Sequence, residues 1–221
     1  IGDPAAVEAL SRVLLEDEEA TVRWMAALSL GEIEDPAAVP ALSRALLEDD
    51  DASVRRRAAW TLGEIEDGRA LDALGAAAGD EDEDVVRNAL WAIGEIGSPA
   101  GAPRLEAALV HSNAEARGMA AWAYGELEPE TAPPALIATL DDESEQARRM
   151  AAWALGEIGD PAAADALTAA LADDSDRVRR AALWALGEIG GDAARDALIQ
   201  AIQSDDPEIR KLAAHALAET Y

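Results

Sequence analysis

The sequence predicts an all-α solenoid of about seven stacked helix pairs, and three observations lead there. A Leu-Gly-Glu-Ile string or a near relative recurs through the chain, helix-capping residues stand at fixed offsets from it, and no segment reads as a strand. The Gly of the string is Gly31, Gly63, Gly94, Gly125, Gly156 and Gly187, with Ala218 in the same slot, at intervals of 32 and then 31 residues. A helix pair of that length cannot bury its apolar face alone, so neighbouring pairs must stack.

Each copy then resolves into two helices and short turns. The first helix opens on Asp-Pro or Ser-Pro, at Asp3-Pro4, Asp35-Pro36, Ser98-Pro99 and Asp160-Pro161. That pairs a capping side chain with the residue best suited to the first helical position. The second helix starts twelve residues before the Gly, at Glu19, Asp51, Asp82, Asn113, Ser144, Ser175 and Asp206, all but Glu19 good N-caps. It closes just after the Ile, where Gly97, Gly159 and Gly190 can turn left-handed. Pro133-Pro134 shortens the first helix of the fifth copy. The copies run approximately 1–34, 35–66, 67–97, 98–128, 129–159, 160–190 and 191–221 in one array over 1–221. Ile1-Gly2-Asp3-Pro4 matches Ile158-Gly159-Asp160-Pro161, so the chain is expected to be a piece of a longer array. At the other end Ala218 and Thr220 replace the Gly and the Ile, as in a diverged terminal copy.

Composition narrows the function. The 221 residues carry 45 acidic and 18 basic side chains, a formal charge of −27, and the sequence pI is near 4.2. Such a chain repels nucleic acid and anionic membrane surfaces. No apolar run approaches the roughly 18 residues of a membrane span. Zero Cys excludes a disulfide scaffold, a thiolate metal site and a Cys nucleophile. The chain opens on Ile1 without an initiator Met, so a removed leader stays open; a cytoplasmic setting is expected. Lys211 is the sole Lys among many Arg, and this composition resembles that of proteins from extreme halophiles.

The copies Asp-Pro-Ala-Ala-Ala-Asp-Ala-Leu (160–167) and Val-Arg-Arg-Ala-Ala-Leu-Trp-Ala-Leu-Gly-Glu-Ile (178–189) resemble the HEAT-like repeats of the phycobilisome-lyase type, and the resemblance covers the whole chain. It implies a right-handed superhelix with the second helices lining the concave side. For function it implies a scaffold, since such repeats serve many partners and some members handle bilins.

On each second helix, the positions nine, five, two and one before the Gly and two after it fall within an arc of about 100°, the expected core stripe. The position three before the Gly lies roughly 210° from the middle of that arc, facing away. It holds Leu28, Trp60, Trp91, Trp122, Trp153, Trp184 and His215. Four residues on comes an unbroken row, Glu32, Glu64, Glu95, Glu126, Glu157, Glu188 and Glu219. With helices about 8–10 Å apart, the five Trp would form a ladder roughly 35–40 Å long.

A Trp row beside a carboxylate row suits a basic, extended protein or peptide, because indole faces stack on Arg or Lys stems while Glu neutralises the heads. The arrangement is similar to the Trp-plus-polar ladders by which armadillo-repeat proteins hold basic peptides. The expected contact residues are Trp60, Trp91, Trp122, Trp153 and Trp184 with Glu64, Glu95, Glu126, Glu157 and Glu188. Packing is the competing account: the residue four before the Trp (Arg56, Arg87, Gly118, Arg149, Arg180) can stack over it where it is Arg, or the indole can fill the groove between copies. In the fourth copy Gly118 stands in that slot and is expected to leave Trp122 uncovered as an anchor, near the unusual Met119 and Tyr124.

The remaining motifs read as structure. Arg23, Arg55, Arg117, Arg148, Arg179 and Arg210 face Asp runs in adjacent turns such as Asp173-Asp174 and Asp205-Asp206, while the third copy has Val86 in this slot and Arg87 displaced by one. Asp80-Glu81-Asp82-Glu83-Asp84 lacks the Gly and Glu of a calcium loop, having Val85 and Trp91 there. His111 reads as a turn residue, and neither it nor His215 begins a His-Glu pair, so the di-metal hydroxylases built on related repeats find no ligands here. No catalytic constellation, metal site or cofactor fingerprint is visible. A binding scaffold follows, with an accessory or lyase-like role in tetrapyrrole handling, implied only by the resemblance, and a purely structural array as alternatives.

Overall fold

The computed structural model describes residues 3–220. Ile1 as the close of an earlier helix, and the side chains of Glu219 and Thr220 at the end of the array, lie outside the described residues. Among those described there are fourteen α-helices and no strand, the α-solenoid class expected from the repeats. The chain forms two compact units, Ile1–Leu105 and Glu106–Tyr221.

In the first unit α1 (Pro4–Glu16) packs on α2 (Ala20–Ile33), α3 (Val39–Glu48) on α4 (Ala52–Ile65), and α5 (Leu71–Ala77) on α6 (Glu83–Ile96). The first helices touch in succession and so do the second helices. The helix α7 (Ala102–Ala108) carries the division between units. The second unit continues with α8 (Ala114–Glu126), α9 (Pro134–Ala138), α10 (Glu145–Ile158), α11 (Ala164–Ala170), α12 (Asp176–Ile189), α13 (Gly191–Ala201) and α14 (Pro207–Thr220). Here α8, α10, α12 and α14 make the sequence of second helices, with α11 and α13 packed beneath α12 and α14.

The caps form where the sequence places them. Asp51, Asp82, Asn113, Ser144, Ser175 and Asp206 each accept a hydrogen bond from the first turn of their helix, and Glu19 makes none. The Asp-Pro and Ser-Pro starts differ in detail. Only Asp3 caps an α-helix directly; Asp35, Ser98 and Asp160 cap short 3-10 turns at Pro36–Ala38, Pro99–Gly101 and Pro161–Ala163 that lead into the helices. Asp67 does the same with Gly68 in place of Pro. Pro133-Pro134 leaves α9 only five residues long.

At the helix ends, Gly97 and Gly159 are left-handed with φ of 61° and 68°. Gly190 has positive φ but an extended ψ of −158°, because the chain leads straight into α13. Where the sequence offers no Gly, Glu34 and Glu66 take the left-handed cap at φ of 52° and 54°.

The core stripe is wider than the sequence arc. Val54, Ala58 and Leu62, and Val85, Ala89 and Ile93, are buried as expected, but so are Ala59, Leu90, Ala121, Ala152 and Leu183, four before the Gly. Within the units α4, α10 and α12 each meet a first helix beneath them and second helices at both flanks, so more of their circumference is covered. The Ile two after the Gly, in contrast, is only half-buried at the helix end, as at Ile65, Ile96 and Ile158.

Candidate binding face

Before any partner can be held, the second helices must be held in register, and the Val-Arg slot does this. Arg117 in α8 donates through Nε and Nη2 to both carboxylate oxygens of Asp142 in the next inter-helix turn, at 2.6 and 2.8 Å. Its Nη1 donates to the carbonyls of His111 and Ser112 in its own turn. Arg23 with Asp49, Arg55 with Asp80 and Arg148 with Asp173 repeat this geometry. The carboxylate is itself oriented, since Asp142 also accepts from the Ser144 amide. Arg179 reaches Asp206 at 3.4 Å and Arg210 holds the Ser204 and Asp205 carbonyls. Val86 is buried in the corresponding slot of α6.

The Asp80–Asp84 run is consumed the same way: Asp80 binds Arg55, Asp82 binds Arg56, and Asp84 binds Arg56 and Arg87. The Arg56 hydrogen bond, working against burial, draws the Asp82 carboxyl down to about 2. His111 is a turn residue whose Nδ1 accepts from the Asn113 amide.

The Trp row is partly exposed. Trp60 and Trp184 each keep 38% of their surface accessible, Trp91, Trp122 and Trp153 are half-buried, and Glu64, Glu95, Glu126, Glu157 and Glu188 are all exposed. The indoles do not stand clear of the fold. A Cβ built on Gly63, Gly125 or Gly156 would meet the ring of Trp91, Trp153 or Trp184 at 2.6, 2.9 and 2.6 Å, so each indole lies over the Gly of the preceding copy. At these three copies the Gly is the floor on which the next Trp rests, whereas a Cβ on Gly31 would meet Thr61 and Glu64.

The row also differs between the units. In the first, Trp60 and Trp91 stack with centroids 4.0 Å apart and planes 12° from parallel, closing the gap between α4 and α6. In the second, Trp122, Trp153 and Trp184 form no stacked pair among the described residues and instead line an open cleft of about 590 Å³ together with Arg149, Arg177 and Arg180.

Two expectations are corrected. The described cation–π contact is not between an Arg and the Trp four residues later: it is Arg57 over Trp24, 4.9 Å from the centroid, across neighbouring copies. In the first unit the Arg in that slot are drawn elsewhere, Arg56 to Asp82 and Asp84 and Arg87 to Asp84. Nor does Gly118 leave a gap. It is buried, and a Cβ there would stand in ordinary contact with Gln146 Cγ and Ala147 Cα of α10 at 3.4 and 3.6 Å. Trp122 is half-buried at the cleft edge. Arg177 is the cleft residue that the Trp-centred reading missed; a charge reversal from Asp84 to Arg177, at equivalent slots of two copies, was its signal.

These features define a class: an all-α repeat protein whose successive second helices carry one aromatic and one acidic row. The chain belongs to the HEAT repeat family, whose model matches residues 1–55, 43–115, 102–186 and 169–221. Among solved structures it is similar to the complex of CpcE and CpcF of phycocyanin lyase from Nostoc (24% identity, 99% of this chain and 89% of that one, TM-score 0.60). It is also similar to the YibA protein of Escherichia coli (24% identity, 98% and 82%, TM-score 0.67). A designed armadillo repeat protein in complex with the peptide (KR)4 is similar as well (21% identity, 97% and 99%, TM-score 0.55). At these identities the likeness is one of fold. No curated protein matches the chain.

Proposed function

We propose that this HEAT repeat chain is a non-enzymatic scaffold that holds a basic, extended segment of a protein partner along the second helices. The observation that carries the reading is the repeated juxtaposition of a part-exposed Trp with an exposed Glu one turn later, at Trp60 and Glu64, Trp91 and Glu95, Trp122 and Glu126, Trp153 and Glu157, and Trp184 and Glu188. Indole faces take the aliphatic stems of Arg or Lys and the carboxylates take the heads, with each contact worth about 0.5–2 kcal/mol. Two structural neighbours lend support: one is a protein complex and the other holds a Lys-Arg peptide. No helix of the described residues is long and apolar enough to cross a membrane.

Acrylamide quenching of Trp emission, with an Arg-rich peptide and an acidic control peptide at moderate ionic strength, tests this. The expected result is protection by the basic peptide alone, and an about tenfold weaker affinity for Trp122→Ala. Quenching indifferent to the basic peptide would mean that the Trp row serves packing only. Unchanged affinity of Trp122→Ala would remove Trp122 from the contact surface.

A further inference from the structure

We infer that the Trp–Arg cleft of the second unit binds a small aromatic anion, an aromatic carboxylate by chemical class. The cleft has an indole floor, Trp122, Trp153 and Trp184, and a polar edge of three guanidiniums, Arg149, Arg177 and Arg180. A concave, mostly apolar space with a few convergent polar groups is the usual form of a small-ligand site.

The guanidiniums have no comparable employment inside the fold. Arg56, in the first unit, occupies the slot equivalent to Arg149 and is held by Asp82 and Asp84 of the next copy. The residues equivalent to those two, facing Arg149, are Ser175 and Arg177. One carboxylate has become a neutral hydroxyl and the other a cation. Accordingly the Arg149 side chain makes no hydrogen bond or ion pair with another described residue. Arg180 makes none either, although its charge reaches Asp206. Arg177 lies 3.8 Å from Glu145 and is 78% exposed. In a chain of charge −27, three cations converging on one apolar cleft with carboxylates removed from their usual places select an anion. The planar guanidinium fork suits a carboxylate, and the open indole faces suit a ring. The Glu row stands one turn away on the other side of the Trp row, so this edge is electrostatically distinct from the one proposed for a basic segment.

Anilinonaphthalene sulfonate serves as the probe, with its uncharged analogue N-phenylnaphthylamine as the comparison. The intact chain should bind the anionic dye saturably at one site, with energy transfer from Trp, and the neutral dye about tenfold more weakly or worse. The double variant Arg149→Gln, Arg180→Gln should lose about tenfold or more. Arg177→Asp restores the carboxylate of the first unit at an exposed position and should abolish dye binding by giving Arg149 an internal partner. Arg44→Gln, which removes an exposed cation of the first unit paired with Glu48, should change nothing. Equal binding of the two dyes, or full binding by Arg177→Asp with unchanged helical circular dichroism, overturns the inference. The dye readout does not involve the peptide, so a chain that binds one and not the other separates this inference from the scaffold reading.

Discussion

The Arg117 guanidinium joins two turns at once, its own through the His111 and Ser112 carbonyls and the next through Asp142. The ion-paired side chains keep only 10% and 11% of their surface, so removing the Arg strands a nearly buried carboxylate. We expect Arg117→Ala to destabilise the second unit by about 3 kcal/mol in chemical denaturation. Arg117→Lys should recover little, because one ammonium cannot reproduce the fork. The acid limb follows from the same contacts. Arg117's hydrogen bond, outweighing burial, lowers the Asp142 carboxyl below its ordinary value, and Arg148's does so for Asp173. At Asp49 burial pushes upward most strongly, but the Arg23 hydrogen bonds and charge together carry the carboxyl down. A depressed carboxylate contributes stability fully above its unfolded value, near 3.9, and loses it as pH falls through the folded one. A clamp-dependent fall in melting temperature is therefore expected below about pH 4, and it should be smaller in Arg117→Ala. The Arg–Asp half of this clamp was legible, because Val-Arg and a run of Asp recur at fixed spacing. The backbone half was not, since carbonyl directions in a turn leave no mark on residue identity.

Between elements, the approach of α6 to α4, of α10 to α8 and of α12 to α10 is set by the Gly and the Trp that covers it. A Gly inside a helix ordinarily loses about 1 kcal/mol relative to Ala, so Gly→Ala should stabilise wherever there is room. At Gly156 there is none: a Cβ would stand 2.6 Å from the Trp184 ring and 2.9 Å from the Ala185 Cα. The backbone cannot yield without parting α10 from α12, and we expect Gly156→Ala to destabilise by about 1–3 kcal/mol and to raise Trp184 quenching. Gly118 supplies the contrast, because its nearest neighbour is Gln146 Cγ at 3.4 Å, the middle of a flexible side chain. Gly118→Ala should leave stability unchanged or gain up to about 1 kcal/mol. A gain at Gly156 or a large loss at Gly118 would contradict the packing account. The helix order, the caps and the Trp register were all readable from a 31-residue period, as one turn chemistry repeats in every copy. The lean of Trp91, Trp153 and Trp184 onto the preceding Gly was not, because helical-wheel geometry gives the direction in which Cβ leaves the helix and a Trp side chain reaches well beyond it. The Trp60–Trp91 stack and the open cleft of the second unit go with different Arg anchoring, Arg56 being paired with Asp82 and Asp84. That reading required comparing slots such as Asp84 and Arg177 between copies, whereas the periodicity argument averages over them.

Over the whole chain, 45 acidic side chains face 18 basic ones, and the cations are unevenly spent. Arg23, Arg55, Arg117 and Arg148 are committed to nearly buried Asp partners between turns. Most of the remaining carboxylates, Glu64, Glu95, Glu157 and Glu188 among them, are exposed, so folding gathers a charge of −27 onto a smaller surface and works against repulsion. Salt acts on the two populations differently. The Debye length falls from about 10 Å at 0.1 M to about 3 Å at 1 M, which removes most of the repulsion between exposed carboxylates. Partly buried pairs are screened far less, so the clamps survive. The melting temperature should therefore rise between low salt and molar KCl, with most of the gain at the lower concentrations where the Debye length changes fastest. The destabilisation caused by Arg117→Ala should meanwhile be nearly the same at both ends of the series. A melting temperature independent of KCl would show that surface repulsion is not a governing term. A clamp penalty that vanished in molar salt would show that Arg117 and Asp142 act as an ordinary exposed pair, and would remove the electrostatic basis for holding the second helices in register.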